Sequence, residues 1–177
     1  MTGTGNLYLI GMMGAGKTTV GRLLARRLKL RFFDADHEIE SRCGVGIPVI
    51  FEIEGEAGFR AREVQVIGEL TALHGIVLAT GGGAVVAAEN RKRLAANGTV
   101  VYLRARPEDL YDRVRHDRNR PLLATADPLA RMRSLFAERD PLYRQIADVV
   151  VDTGEQSPQV LARGLLDQLQ ERWKASA

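Results

Sequence analysis

The chain has 177 residues, enough for one domain with a full core, and 45% hydrophobic with 27% charged residues is the composition of a soluble globular protein. Lys and Arg outnumber Asp and Glu only by 25 to 22 and form no long basic run, so no nucleic-acid partner is expected. One cysteine, Cys43, excludes an internal disulfide or a multi-cysteine metal site, and no apolar run approaches the ~18 residues of a membrane span. The N-terminus enters its first strand without the pattern of a signal peptide, so the expected location is a reducing cytoplasm.

Residues 7–10 (Leu-Tyr-Leu-Ile) read as a buried strand. GMMGAGKT at 11–18 follows and satisfies G-x-x-x-x-G-K-[ST] at every specified position. Val20, Leu23, Leu24 and Leu28 then recur at helical spacing, which predicts a helix over 17–28. Strand, glycine loop and helix in this order are the context in which the motif binds the phosphates of a nucleoside triphosphate. Glycines let the backbone turn its N–H groups inward, and the helix adds the positive end of its dipole. Lys17 would reach the β- and γ-phosphates, and the Thr18 hydroxyl would ligate Mg²⁺. The loop alone leaves kinase, GTPase and ATPase open.

The second strand, 31–34, ends in Phe33-Asp34-Ala35-Asp36. In an open α/β sheet, ligands gather at the carboxyl ends of strands. One carboxylate can hold the metal or its water while the other accepts a hydroxyl proton; capping of a helix at Glu38 by Asp36 is the competing reading. GEAGFRARE at 55–63 places Arg60 where Glu63 can orient it from three residues on. The segment containing Pro48 predicts a shifted helix start. The third strand, 76–80, runs into Gly81, Gly82 and Gly83, costly in entropy unless backbone must approach a ligand closely. No acidic residue closes this strand, which leaves Asp34 as the metal-side carboxylate.

A fourth strand is expected over 99–103. Residues 116–127 are polar, arginine-rich and interrupted by Pro121, and read as a mobile loop carrying Arg120. An arginine on a closing loop brings charge to a moving phosphoryl group and excludes water. Arg139 precedes an expected break at Pro141. A fifth strand at 148–151 and a helix over 157–173, with Ser157 as N-cap and Pro158 in its first turn, complete the chain. Strands alternating with amphipathic helices imply a parallel sheet covered on both faces.

The ordered set GMMGAGKT, DAD at 34–36, GEAGFRARE, TGGG at 80–83, RPLL at 120–123 and RDPLY at 139–143 resembles shikimate kinase over nearly the whole chain. The resemblance implies an α/β, three-layer P-loop kinase fold. Its five-stranded parallel sheet runs in the order 2-3-1-4-5, flanked by helices, with a mobile lid. It implies one domain over 1–177, with the phosphate loop at 11–18, a substrate-binding segment at about 34–63 and the lid at about 113–127. The implied reaction moves the γ-phosphoryl of ATP, as co-substrate with Mg²⁺, to the 3-hydroxyl of shikimate, a step towards chorismate and the aromatic amino acids. A cytoplasmic monomer without membrane or nucleic-acid partners is expected.

The resemblance also assigns roles. Gly14, Ala15, Gly16, Lys17, Thr18 and Thr19 would hold the nucleotide phosphates, with Thr18 and Asp34 on the metal. Asp36 would contact the reacting hydroxyl as its base or its orienter. Arg60 and Arg139 would clamp the shikimate carboxylate, which matches the planar guanidinium fork. Gly81, Gly82 and Gly83 would hold substrate through their backbone, and Arg120 would stabilise the transferring group. Adenine would stack between Pro158 and either Arg113 or Arg115, with Arg113 favoured. Two other readings compete: a kinase of the same fold for another alcohol, such as gluconate, and a non-catalytic sensor domain. The first should not share the whole motif set. The second requires a DNA-binding domain, whereas six residues precede the first strand here.

Overall fold

The computed structural model of the chain describes residues 5–176. Its strands are β1 (Asn6–Ile10), β2 (Arg31–Asp34), β3 (Ile76–Ala79), β4 (Gly98–Arg104) and β5 (Val149–Asp152). They form one parallel sheet in the order β2-β3-β1-β4-β5, as expected. Every residue of β1 and β3 is buried, which is why both read as unbroken apolar runs. The edge strands β2 and β5 are partly exposed. Among the described residues seven helices cover the sheet: α1 (Lys17–Leu28), α2 (Ala35–Cys43), α3 (Ile47–Thr71), α4 (Ala88–Asn97), α5 (Pro107–Val114), α6 (Pro128–Ile146) and α7 (Pro158–Ala175). Short 3₁₀ turns lie at Ala84–Val86 and Pro121–Leu123.

The topology fixes where a ligand can sit. From β1 the chain passes to β2 and β3 on one side, then returns across β1 to β4 and β5. The order therefore reverses at β1, and the crevice outside its carboxyl end is the binding position of open α/β sheets. The phosphate-loop sequence occupies that end. Gly14 and Gly16 take φ of 81° and 92°, in the left-handed region that favours glycine.

Local structure departs from expectation in five places. Asp34, rather than Asp36, caps α2: its Oδ1 accepts from the His37 amide at 3.1 Å, and the helix starts at Ala35. Pro48 fits the first turn of α3, where an amide has no partner within the helix, so the Pro does not disturb it. Gly55, at φ 71° and ψ 179°, kinks α3. Phe51 and Phe59 are thereby brought to a ring separation of 5.0 Å, although eight residues of straight helix rise about 12 Å.

The break expected at Pro141 does not occur, and α6 runs through it. The lost hydrogen bond would have gone to the Ala137 carbonyl; both residues are solvent-exposed, where water can serve that oxygen. Finally, Arg113 and Val114 complete α5 instead of opening the lid, because Val114 is buried beneath the helix. The irregular segment is 115–127, pinned part-way by the buried Leu123.

Candidate active site

Helix α1 begins at the phosphate loop. Gly16 caps it without a side chain, and its first turn carries no acidic residue, so its amides and dipole are left for an anion. Lys17 is buried, with Nζ donating to the carbonyls of Gly11 at 2.6 Å and Met12 at 2.8 Å. Burial, reinforced by the Arg120 charge, lowers its pKa to about 8, against the pull of Asp36 and Asp34. The ammonium has carbonyl partners but no contacting carboxylate, an arrangement that phosphate oxygens would complete. The Thr18 hydroxyl donates to Asp34 Oδ2 at 2.6 Å, so the carboxylate that caps α2 also holds the first residues of α1.

Beyond Asp34 the cleft continues into a second, partly open cavity. Asp36, Arg60, Glu63 and Arg139 supply its charged wall, and Gly81, Gly82 and Gly83 its backbone wall. Met13, Ile47, Phe51 and Phe59 are its apolar side. Arg60 Nη1 donates to Glu63 Oε1 at 2.9 Å, the contact expected from their spacing. Glu63 is 1% exposed and Arg139 2%. Seven buried side-chain polar atoms lack a hydrogen-bond partner among the described residues. Five of them line this one cavity: Asp36 Oδ1, Glu63 Oε2, Arg60 Nε, and Arg139 Nε and Nη1. Native interiors rarely leave such groups unpaired, so the concentration marks a site for a polar, anionic ligand.

Burial raises the Asp36 pKa to about 7, with Glu63 and Asp34 adding repulsion and Lys17 and Arg120 opposing. Burial likewise pushes Glu63 up, against Arg60. The glycines after β3 leave room for these side chains. A Cβ on Gly81 would lie 2.6 Å from Asp36 Oδ1 and 2.9 Å from Glu63 Oε2, and one on Gly83 would collide with the Arg60 guanidinium. The close approach expected at TGGG is therefore made first by the charged side chains of the site.

Arg120, at the foot of the 3₁₀ turn, pairs through Nε with Asp117 Oδ2 at 3.1 Å. Met13, Asp36, Gly81, Gly82 and Arg120 line both the acceptor cavity and the cavity over Lys17 and Thr18. Farther along α1, a third cavity is bounded by Gly14, Ala15, Gly16, Thr19, Arg113 and Pro158. Arg113 Nη1 donates to the Gly14 carbonyl at 3.0 Å, and Nη2 reaches Gly154 O at 3.4 Å. Arg115 lines a separate surface beside Pro128.

The sequence model for shikimate kinase matches residues 13–170. The chain belongs to the shikimate kinase family. It is 63% identical over 164 residues to the shikimate kinase of Thiobacillus denitrificans, covering 93% of this chain and 90% of that one. The enzyme of Ralstonia nicotianae is 62% identical, with 93% and 87% covered. A shikimate kinase from Acinetobacter baumannii, solved in complex with shikimate, superposes with a TM-score of 0.93 at 48% identity, covering 95% and 94% of the two chains.

For a shikimate kinase family member, three further participants were not singled out from sequence. The Phe51–Phe59 wall depends on the Gly55 kink and has no periodicity to betray it. Asp117 stands three residues before Arg120, a spacing that pairs side chains and was readable. Tyr143, whose hydroxyl donates to the Gly82 carbonyl at 2.5 Å, contacts a residue 61 positions away and left no local signal.

Proposed function

We infer that this chain transfers the γ-phosphoryl of ATP to the 3-hydroxyl of shikimate, giving shikimate 3-phosphate and ADP. The observation that carries the reading is the shared wall: the phosphate-loop cavity opens directly into a cavity walled by the buried Arg139 and the half-buried Arg60 and Asp36. Such a cleft sets an alcohol beside a γ-phosphate and turns a two-molecule encounter into an oriented one.

In this reading the Arg60 and Arg139 guanidinium groups bind the acceptor carboxylate, and their unpaired N–H groups supply the donors. The acceptor hydroxyl faces Asp36. Its oxygen forms the new bond to the γ-phosphorus, the bond from that phosphorus to the bridging oxygen of ADP breaks, and the hydroxyl proton passes to the Asp36 carboxylate. A pKa near 7 suits this group to take a proton at neutral pH. Lys17 balances charge on the β- and γ-phosphates. Arg120 meets the charge spread over the transferring group, and its segment excludes water as it closes. Arg113 and Pro158 flank the adenine position.

Thr18 and Asp34 fit a divalent cation of the magnesium type, because they present a hydroxyl and a carboxylate oxygen 2.6 Å apart at the edge of the phosphate site. Among the described residues no group of three or more His, Cys, Asp or Glu could hold a metal, so coordination shared with phosphate oxygens is the reading that fits. When bound there, the ion neutralises the β- and γ-phosphate oxygens. In this reading the chain acts as a single-domain monomer, and the single cysteine suits the reducing cytoplasm. The test is ADP release from Mg·ATP with shikimate, with gluconate and with no acceptor. Release that depends on shikimate alone is the expected result; equal release with gluconate or without acceptor refutes the reading.

A further inference from the structure

The glycine turn after β3 is held by an element that comes much later in the chain. The Gly81 carbonyl accepts from the Ala84 amide and the Gly83 carbonyl from Val86, both at 3.1 Å, as a local turn requires. The Gly82 carbonyl between them has no such local partner. Among the described residues it accepts one hydrogen bond, from the Tyr143 hydroxyl at 2.5 Å. Gly82 is also wedged. A Cβ there would stand 3.2 Å from the Met13 amide nitrogen and 3.5 Å from Arg139 Nη1. Gly82 thus sits between the phosphate loop and Arg139, with little room for a side chain.

Tyr143 is built to stay in place. It is fully buried on α6, one helical turn beyond Arg139. Its ring packs on that of Tyr102 at 4.7 Å, and the Tyr102 hydroxyl is fixed by Asp140 Oδ1 at 2.7 Å. Burial pushes the Tyr143 phenol well above its ordinary range, against the nearby Arg139 charge, so the hydroxyl keeps the proton it donates.

We propose that Tyr143 is a positioning residue for the acceptor: by fixing the Gly82 carbonyl it holds the glycine turn against Arg139 and the phosphate loop, and so sets the acceptor cavity in register with the γ-phosphate. The inference rests on the kinase reading above and adds to it a residue that donates to the turn rather than to substrate. It separates α6 into two functions one turn apart, with Arg139 binding and Tyr143 aligning.

The test is Tyr143→Phe, which keeps the stacked ring and removes the donor. Its shikimate KM should rise about tenfold, the cost of leaving one buried carbonyl unpaired, while the ATP KM stays as in the wild type. Tyr102→Phe is the control: it breaks the bond to Asp140 and should lower the melting temperature without moving the shikimate KM. A Tyr143→Phe enzyme with wild-type shikimate KM overturns the proposal, as does one in which both KM values rise together. Hydrogen exchange in the free wild type tests the same point without a variant. The amides of Ala84 and Val86, which donate within the turn, should be protected, and exchange at the rate of an open loop would overturn it. A wild type without shikimate-dependent ADP release would instead sink the underlying reading, and the exchange result would still stand or fall alone.

Discussion

Replacing Asp36 by Asn should stabilise the free protein above neutral pH while removing its turnover. The cause is the burial that lifts this carboxyl from its ordinary 3.8 to about 7, with repulsion from Glu63 and Asp34 on top. Between those two values the folded protein keeps a proton that the unfolded chain has released. The stability linked to that proton is fully present below about pH 4 and is lost as pH rises through 7. Moving a carboxyl that far corresponds to about 4 kcal/mol at pH 8, and relaxation around the ionised group trims the effect to roughly 2–4 kcal/mol. Asparagine has no proton to lose and escapes the penalty. Urea denaturation of both proteins, without ligands, at steps from pH 5 to pH 8 measures the difference. Glu63 is pushed upward as well, so the comparison between the two proteins, rather than either curve alone, is the readout. The variant should gain on the wild type by about 2 kcal/mol or more from pH 5 to pH 8. A gap that stays constant with pH, or a variant less stable at pH 8, would refute the reasoning. Loss of activity together with gain of stability is the trade expected where a site keeps an unfavourable charge for its chemistry.

Three other outcomes follow from the same geometry. Arg139→Lys should raise the shikimate KM about tenfold with the ATP KM unchanged, since a point charge cannot replace the planar fork; steady-state kinetics with each substrate varied checks this. Arg120→Ala should lower kcat by about a thousandfold and leave nucleotide affinity nearly intact, because its contact belongs to the transferring group; loss of nucleotide affinity alone would make it a ground-state ligand. Thr18→Val should raise the Mg²⁺ concentration needed for half-maximal activity about tenfold, measured by magnesium titration at fixed ATP, and an unchanged requirement would remove the hydroxyl from the metal site.

What could be read from sequence was what is local. The phosphate loop is a backbone device, so GMMGAGKT announced its position and the helix after it. The apolar strands were legible because a parallel sheet buries both faces, and the predicted ends lie within one residue of those observed. Arg60 and Glu63 pair at helical spacing, as their sequence separation implied. The acceptor cavity was readable only through family resemblance. Its walls come from the phosphate loop, α2, α3, the turn after β3, the 115–127 segment and α6, and no periodic pattern joins Asp36 to Glu63 or Tyr143 to Gly82. Pro141 misled because a proline on the solvent face of a helix can leave its lost bond to water, and burial is a tertiary fact. The last turn of α5 is hidden for a similar reason: Val114 faces the core, and a polar sequence with many arginines does not show it.

The central claim is that the joined cavities pass the γ-phosphoryl to one hydroxyl of the acceptor. Incubation of shikimate with ATP carrying oxygen-18 in its γ-phosphoryl, followed by phosphorus NMR of the products, tests it directly. The account predicts that the label moves wholly into shikimate 3-phosphate, with little inorganic phosphate. Label found mainly as inorganic phosphate, or on another hydroxyl of the ring, would contradict it.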